Sequence, residues 1–85
     1  MPTVWIVPAG SDSAEGAAAG DYLLRPKDDL YEVGKQDDSC TWIGTLGAAL
    51  LPALPAVDSP QEAPDQPEVL KVVQGLETAE HLRGG

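Results

Sequence analysis

The sequence predicts an α+β domain. A small antiparallel sheet of three to four strands over residues 3–43 comes first. A short helix, a proline-rich connection and a C-terminal helix follow. Three observations predict this. Short β-branched and aromatic runs alternate with Gly, Asp and Pro clusters in the first half. Most of the prolines fall between residues 52 and 67. Apolar residues then recur at helical spacing close to the end of the chain.

Thr3-Val4-Trp5-Ile6-Val7 is β-branched and aromatic and bounded by Pro2 and Pro8, which predicts a short strand at a sheet edge. The stretch AGSDSAEGAAAGD has alanines but no apolar face to bury, so a loop is expected, either mobile or used for contact. Asp21-Tyr22-Leu23-Leu24-Arg25 and Leu30-Tyr31-Glu32-Val33 read as two strands of a hairpin around the turn Pro26-Lys27-Asp28-Asp29. A second turn, from Gly34 through Asp37-Asp38, leads into a fourth strand, Cys40-Thr41-Trp42-Ile43.

Thr45 is placed to cap a short helix over Leu46-Gly47-Ala48-Ala49-Leu50-Leu51, with Pro52 as its stop. The spaced prolines that follow favour extended chain, suited to a linker or to lying in a groove. Asp65 followed by Glu68 resembles a capping box, with Pro67 in the first turn of a helix over 67–82. Val69, Val72, Leu76 and Ala79 share one face of it. The alternative is a strand over 69–73 ending at Gly75, and the helix is preferred. The expected layout is a β domain with its short helix (1–54), an acidic proline-rich arm (55–66), and a helix with a Gly-Gly tail packed on the same domain (67–85). No internal repeat is present.

Eighty-five residues make one domain at most, and a chain this short has a thin core. One cysteine, Cys40, excludes an internal disulfide; with one histidine, His81, it cannot supply the four ligands of a structural zinc site. Fourteen acidic residues against five basic ones give a net charge of −9. Such a surface repels nucleic acid and anionic membrane and suits a basic partner. The opening residues lack the basic start and long apolar run of a signal peptide, and GAALLPALPAV is too short and too proline-rich to span a membrane. The expected location is the cytoplasm, with a virion compatible.

No catalytic residue, metal site or cofactor is predicted. Cys40 and His81 lack an indicated third group for a nucleophile. Asp28-Asp29 and Asp37-Asp38 lack the alternating oxygen ligands and turn glycine of a calcium loop. The glycines at 10, 16 and 20 precede no Lys-Ser/Thr helix start, so no phosphate loop is present. Trp5, Tyr22, Tyr31 and Trp42 lie on the predicted strands and are expected in the core, with one or two as partner anchors, because Trp and Tyr are favoured at interfaces.

The last four residues, Leu82-Arg83-Gly84-Gly85, are similar to the tail of ubiquitin-like modifiers. That resemblance implies a β-grasp fold and a C-terminal carboxylate that is activated and joined to another molecule, or used to carry sulfur. The residues around it read differently. LETAEHLR is a good helix sequence, glycine commonly ends a helix, and His81 and Arg83 favour the C-terminal end of the helix dipole.

The functional expectation is a non-enzymatic, acidic protein–protein interaction subunit that docks on a larger protein or assembly, such as a virion or a multiprotein machine. Homo-oligomers within such an assembly are compatible with it. The expected contact residues are Trp5, Tyr31, Trp42, Asp28, Asp29, Asp37 and Asp38. The alternatives are a phage-type acidic inhibitor that mimics nucleic acid, and the modifier or sulfur carrier using Gly84 and Gly85.

Overall fold

A computed structural model describes residues 1–84. It contains strands β1 (Val4–Ile6), β2 (Tyr22–Lys27), β3 (Leu30–Gln36), β4 (Cys40–Gly47) and β5 (Gln61–Glu62), and one long helix, α1 (Gln66–Gly84). The strands form one sheet in the order β4-β3-β2-β1-β5. The class is α+β, as expected, but the sheet has five strands and is mixed. β1 runs parallel to β2, in register Val4 to Tyr22, and every other pairing is antiparallel. The parallel pair arises because the chain leaves β1, crosses the sheet as a loop and re-enters in the same direction. Parallel neighbours require such a crossover.

Alternation along the strands sends side chains to two faces. Val4, Ile6, Tyr22, Leu24, Val33 and Leu46 face α1 and are buried with Val69, Leu70 and Val73 of the helix. Val7 and Leu23 point the other way, with Trp5 and Trp42 beside them. The loop between β1 and β2 covers this second face. Ala14 is buried there, and the Trp5 ring lies against Gly16. Small residues let the loop lie close to the sheet, so the stretch is a cover, not a free tether. Both faces of β1 and β2 are therefore dry, which is why VWIV and YLL read as continuous apolar runs. Each fully buried aliphatic side chain contributes about 1.5–3 kcal/mol.

Several expectations are corrected. β1 is not an edge strand, because β2 flanks it on one side and β5 on the other. Its own edge is therefore not free for a partner's strand. Pro26 and Lys27 belong to β2, paired with Tyr31 and Leu30, and the turn is only Asp28-Asp29. Asp28 adopts φ 55, a left-handed conformation that Asp tolerates at a tight hairpin. β1 has ended by the level of Pro26, so the missing N–H costs no bond to that neighbour. The helix expected from Thr45 through Leu51 is split: Thr45 to Gly47 belong to β4, and only a 3-10 turn follows. Thr45 and Leu46 pair with Glu32 and Tyr31, and the turn is Ala48–Leu50. Burying Leu46 in the core favours the strand, and Leu50 is left 63% exposed.

Leu51 is buried, and Leu54 and Val57 lean on the core, so this part of the chain crosses the α1 side of the sheet. Within the 55–66 arm, Gln61–Glu62 forms β5 against β1, and Ala63 is buried. The helix expected over 67–82 is present as α1; residues 69–73 are helical, not strand. Its first bond runs from the Val69 N–H to the Asp65 carbonyl at 3.0 Å, and Asp65 itself is left-handed at φ 54. Gly84 still lies within α1, while Gly85, with the tail reading that depends on it, lies outside the described residues.

Candidate functional site

Three places gather polar chemistry. The first is an open cleft of about 640 Å³ between α1 and the start of β2, lined in part by Tyr22, Lys35, Gln74 and Glu77. Tyr22 and Lys35 stand on the α1 face of neighbouring strands, directly paired. The Tyr22 hydroxyl donates to Glu77 Oε1 at 2.5 Å, and Lys35 Nζ donates to Glu77 Oε2 at 2.9 Å. The Lys35 ammonium also lies 5.5 Å from the centre of the Tyr22 ring. Burial, then the bond to Glu77, raises the Tyr22 pKa. The bond to Glu77 raises that of Lys35, and the bonds from Tyr22 and Lys35 lower that of Glu77. All three groups are pushed away from neutrality. Acid–base catalysis needs the opposite, a group tuned toward working pH. The geometry is that of a clamp joining α1 to the sheet.

The second place is Asp21, a carboxylate only 7% exposed. It accepts from the Thr3 N–H at 2.9 Å, the Ala18 N–H at 2.9 Å and the Trp5 indole N–H at 3.0 Å. Burial works to raise its pKa, but these bonds outweigh burial and the net direction is down. Asp21 thus fastens β1, the crossover loop and Trp5 together. Trp5 is held inside this network, not presented as a free anchor.

The third place is the β4 side of the sheet. Trp5, Leu23, Gly34 and Trp42 form one row across β1, β2, β3 and β4. Trp42 lies over Gly34 so closely that a Cβ there would come within 2.8 Å of the ring. Arg25 stacks on the Trp42 ring, 3.8 Å from its centre. Its guanidinium also donates to Glu32 at 3.0 Å and to the Ser11 carbonyl at 3.0 Å. That bond from Arg25 lowers the Glu32 pKa. Trp42 is therefore half-buried and rigid.

No protein-family model, curated protein or solved structure matches the chain.

β4 is the terminal strand of the sheet, and its outer edge pairs with no other strand among the described residues. In a chain where 22% of residues are charged, residues 39–57 carry no charged side chain. That stretch makes all of β4, the 3-10 turn and the start of the arm. Thr41, Thr45, Gly47, Ala48, Ala49 and Leu50 are exposed along it. Exposed edges are usually blunted by lysine, proline or a bulge. This one has only a bulge, near Ile43, where the register shifts opposite Val33 and Gly34.

The two acidic pairs do not form one patch. Asp28-Asp29 and Asp37-Asp38 sit at opposite ends of β3, roughly 26 Å apart at the usual rise per residue. They do bracket the edge. Asp37-Asp38 precede the Cys40 end of β4, and the Asp29 carbonyl accepts from the Ala48 N–H at 3.4 Å beyond the Gly47 end. Tyr31 is on the α1 face, half-buried against the core, and belongs to neither group.

Cys40 packs on the loop-covered face, whereas His81 is carried by α1 on the opposite side of the sheet. The sheet separates them, and burial raises the Cys40 pKa away from the reactive thiolate. Among the described residues no group of three or more His, Cys, Asp or Glu side chains converges to hold a metal ion. No helix there is long and apolar enough to cross a membrane. Leu82 and Arg83 are helical, and Arg83 pairs with Glu80 one turn back.

Proposed function

We propose that the chain is a non-enzymatic docking subunit that binds a larger protein or assembly through the edge of β4. One observation carries this reading. The longest uncharged part of a strongly acidic chain coincides with an unpaired edge strand and the exposed turn beyond it. A free edge presents a row of backbone donors and acceptors, and a partner strand added there gains main-chain hydrogen bonds. Trp42, packed on Gly34 and Arg25, supplies a rigid apolar flank next to that edge. The supporting features elsewhere are structural. The Tyr22–Glu77–Lys35 clamp, Asp21 and the crossover loop hold the scaffold that presents the edge.

The test uses the full chain and a Thr45→Lys variant, immobilised side by side in lysate from the native source. A stoichiometric partner retained by the parent and lost by the variant is expected. Hydrogen exchange on the purified complex should show new protection in residues 40–47. A partner that is kept by Thr45→Lys and leaves β4 exchange unchanged sinks the reading.

A further inference from the structure

We infer that the segment received by the β4 edge is an extended, uncharged strand with basic residues at both of its ends. This rests on the docking reading above and adds the chemistry of the partner. The edge is uncharged along its whole length, yet an acidic pair stands at each end of it. A strand laid along β4 therefore passes Asp37-Asp38 at one end and Asp28-Asp29 at the other. Eight residue steps, from Asp29 to Asp37, separate the two pairs, so basic side chains about eight to ten positions apart come nearest to both. All four carboxylates belong to exposed residues, so they set the negative potential that Lys or Arg side chains of an added strand meet at each end.

The same placement argues against a second copy of this chain as the occupant. If two β4 strands paired antiparallel, each Asp37-Asp38 turn would approach the Asp28-Asp29 turn of the other copy. If they paired parallel, like turns would face each other. Both arrangements oppose acid to acid at both ends of the contact, within a complex of two chains each carrying −9. A basic-ended strand reverses the sign at every one of those points. The exposed Leu50, beyond the Gly47 end, adds an apolar shelf for a partner side chain just inside the basic position. The bulge near Ile43 divides the edge into two short ladders, so the received strand bends between them.

The experiment is a selection of random peptides of about twelve residues, displayed on phage, against the full chain, with counter-selection on Thr45→Lys. The expected enrichment is for β-branched sequences with Lys or Arg near both ends. Their affinity should fall roughly tenfold for a variant with Asp28, Asp29, Asp37 and Asp38 all changed to Asn, and fall with added salt. Peptides that still require an intact edge but lack basic ends overturn the partner chemistry and leave the docking edge standing. A parent chain that sediments as a dimer while Thr45→Lys sediments as a monomer makes the occupant a second copy, which also overturns it. No enrichment over Thr45→Lys overturns both this inference and the docking reading.

Discussion

The two ends of the sheet solve the problem of an unpaired edge in opposite ways. At the β5 end the terminal strand is cut to two residues, and polar side chains do the rest. β5 is two exposed residues, Gln61 and Glu62, set between Pro60 and Pro64. Where β5 stops, the Gln66 side chain takes over. Its amide oxygen accepts from the Val4 N–H at 2.9 Å, and its amide nitrogen donates to the Val4 carbonyl at 2.8 Å and to the Ala63 carbonyl at 2.7 Å. A side-chain amide thus stands in for one residue of a strand. At the β4 end there are eight residues of uncharged strand, held by packing and left open. A chain that blunts one edge by cutting it to two residues leaves eight at the other. The contrast assigns structure to the first end and contact to the second.

Removing Gln66 breaks the contrast most directly. Gln66→Leu keeps the volume and deletes three hydrogen bonds, two of them to fully buried Val4. A buried backbone group left unpaired costs about 1–3 kcal/mol, so the loss should be about 3 kcal/mol in chemical denaturation. Exchange of the Val4 amide should accelerate before that of β2. The Val4 carbonyl keeps the Ala63 N–H at 2.9 Å and β5 still covers Trp5 and Ile6, so the damage should stay local to the Val4 N–H. If β1 exchange and stability are unchanged, the two ends of the sheet are less different than their geometry implies.

Gly34→Ala tests the other end. The added methyl would sit 2.7 Å from Cys40 Sγ and 2.8 Å from the Trp42 ring. Both obstacles are side chains of the open edge strand, so β4 is expected to lift, not the core to break. Overpacking of this kind costs about 2 kcal/mol. Trp42 fluorescence should shift to the red as the ring leaves its seat under Arg25, while α1 stays folded by far-ultraviolet circular dichroism. A variant with unchanged emission would show that Trp42 has room to spare.

Sequence reached some of this and missed the rest for identifiable reasons. α1 was legible because Val69, Val72, Leu76 and Ala79 recur at its period, although the buried face is centred on Val69, Leu70 and Val73, with Val72 and Leu76 half-buried and Ala79 exposed. The β2–β3 hairpin was legible from its apolar runs, but turn chemistry placed Pro26 in the loop, whereas the strand continues through it. The parallel pairing of β1 and β2 was not legible, because alternation is the same whichever way a neighbour runs. β5 has no apolar signal at all; it exists because Trp5 and Ile6 need backbone partners. Gln66, Asp21 and Glu77 act through contacts distant in sequence, which no local pattern encodes. Of the contact residues picked from sequence, Trp42 and the two acidic pairs lie around the β4 edge, while Trp5 and Tyr31 are turned to other work. The missed signal was negative: the absence of charge from 39 to 57 can be read by eye, but means little until β4 is seen at the edge.

Asp21 sharpens the comparison through pH. It fastens the β1 end, where Thr3 and Trp5 donate to it, and has no counterpart at β4. Its folded carboxyl titrates below the ordinary aspartate value of roughly 4. A depressed folded pKa means the stabilisation is full above the unfolded value and drains as the pH falls through the folded one. Asp21→Asn should therefore cost about 1–2 kcal/mol at neutral pH and flatten the acid limb of the stability profile. Glu32 and Glu77 are shifted in the same direction and keep part of that limb in the variant. A variant whose acid limb matches the parent's would mean that Asp21 binds its three donors equally well when protonated.

The smallest expected effect on stability decides the most about function. Thr45 is exposed on β4, and its backbone is already paired with Glu32 on the inner side. Thr45→Lys buries nothing and breaks no contact of the core, so stability should change by less than about 0.5 kcal/mol. The same lysine is the device by which exposed edges are ordinarily protected from further strands. At the β5 end such a change would be redundant, because a two-residue edge strand between prolines already offers little to pair with. At the β4 end it should abolish strand addition while the melting curve stays where it was. Loss of partner binding without loss of stability would separate contact from scaffold at a single residue. If stability collapses instead, Thr45 belongs to the fold, and β4 is held more like the opposite end of the sheet than its open edge indicates.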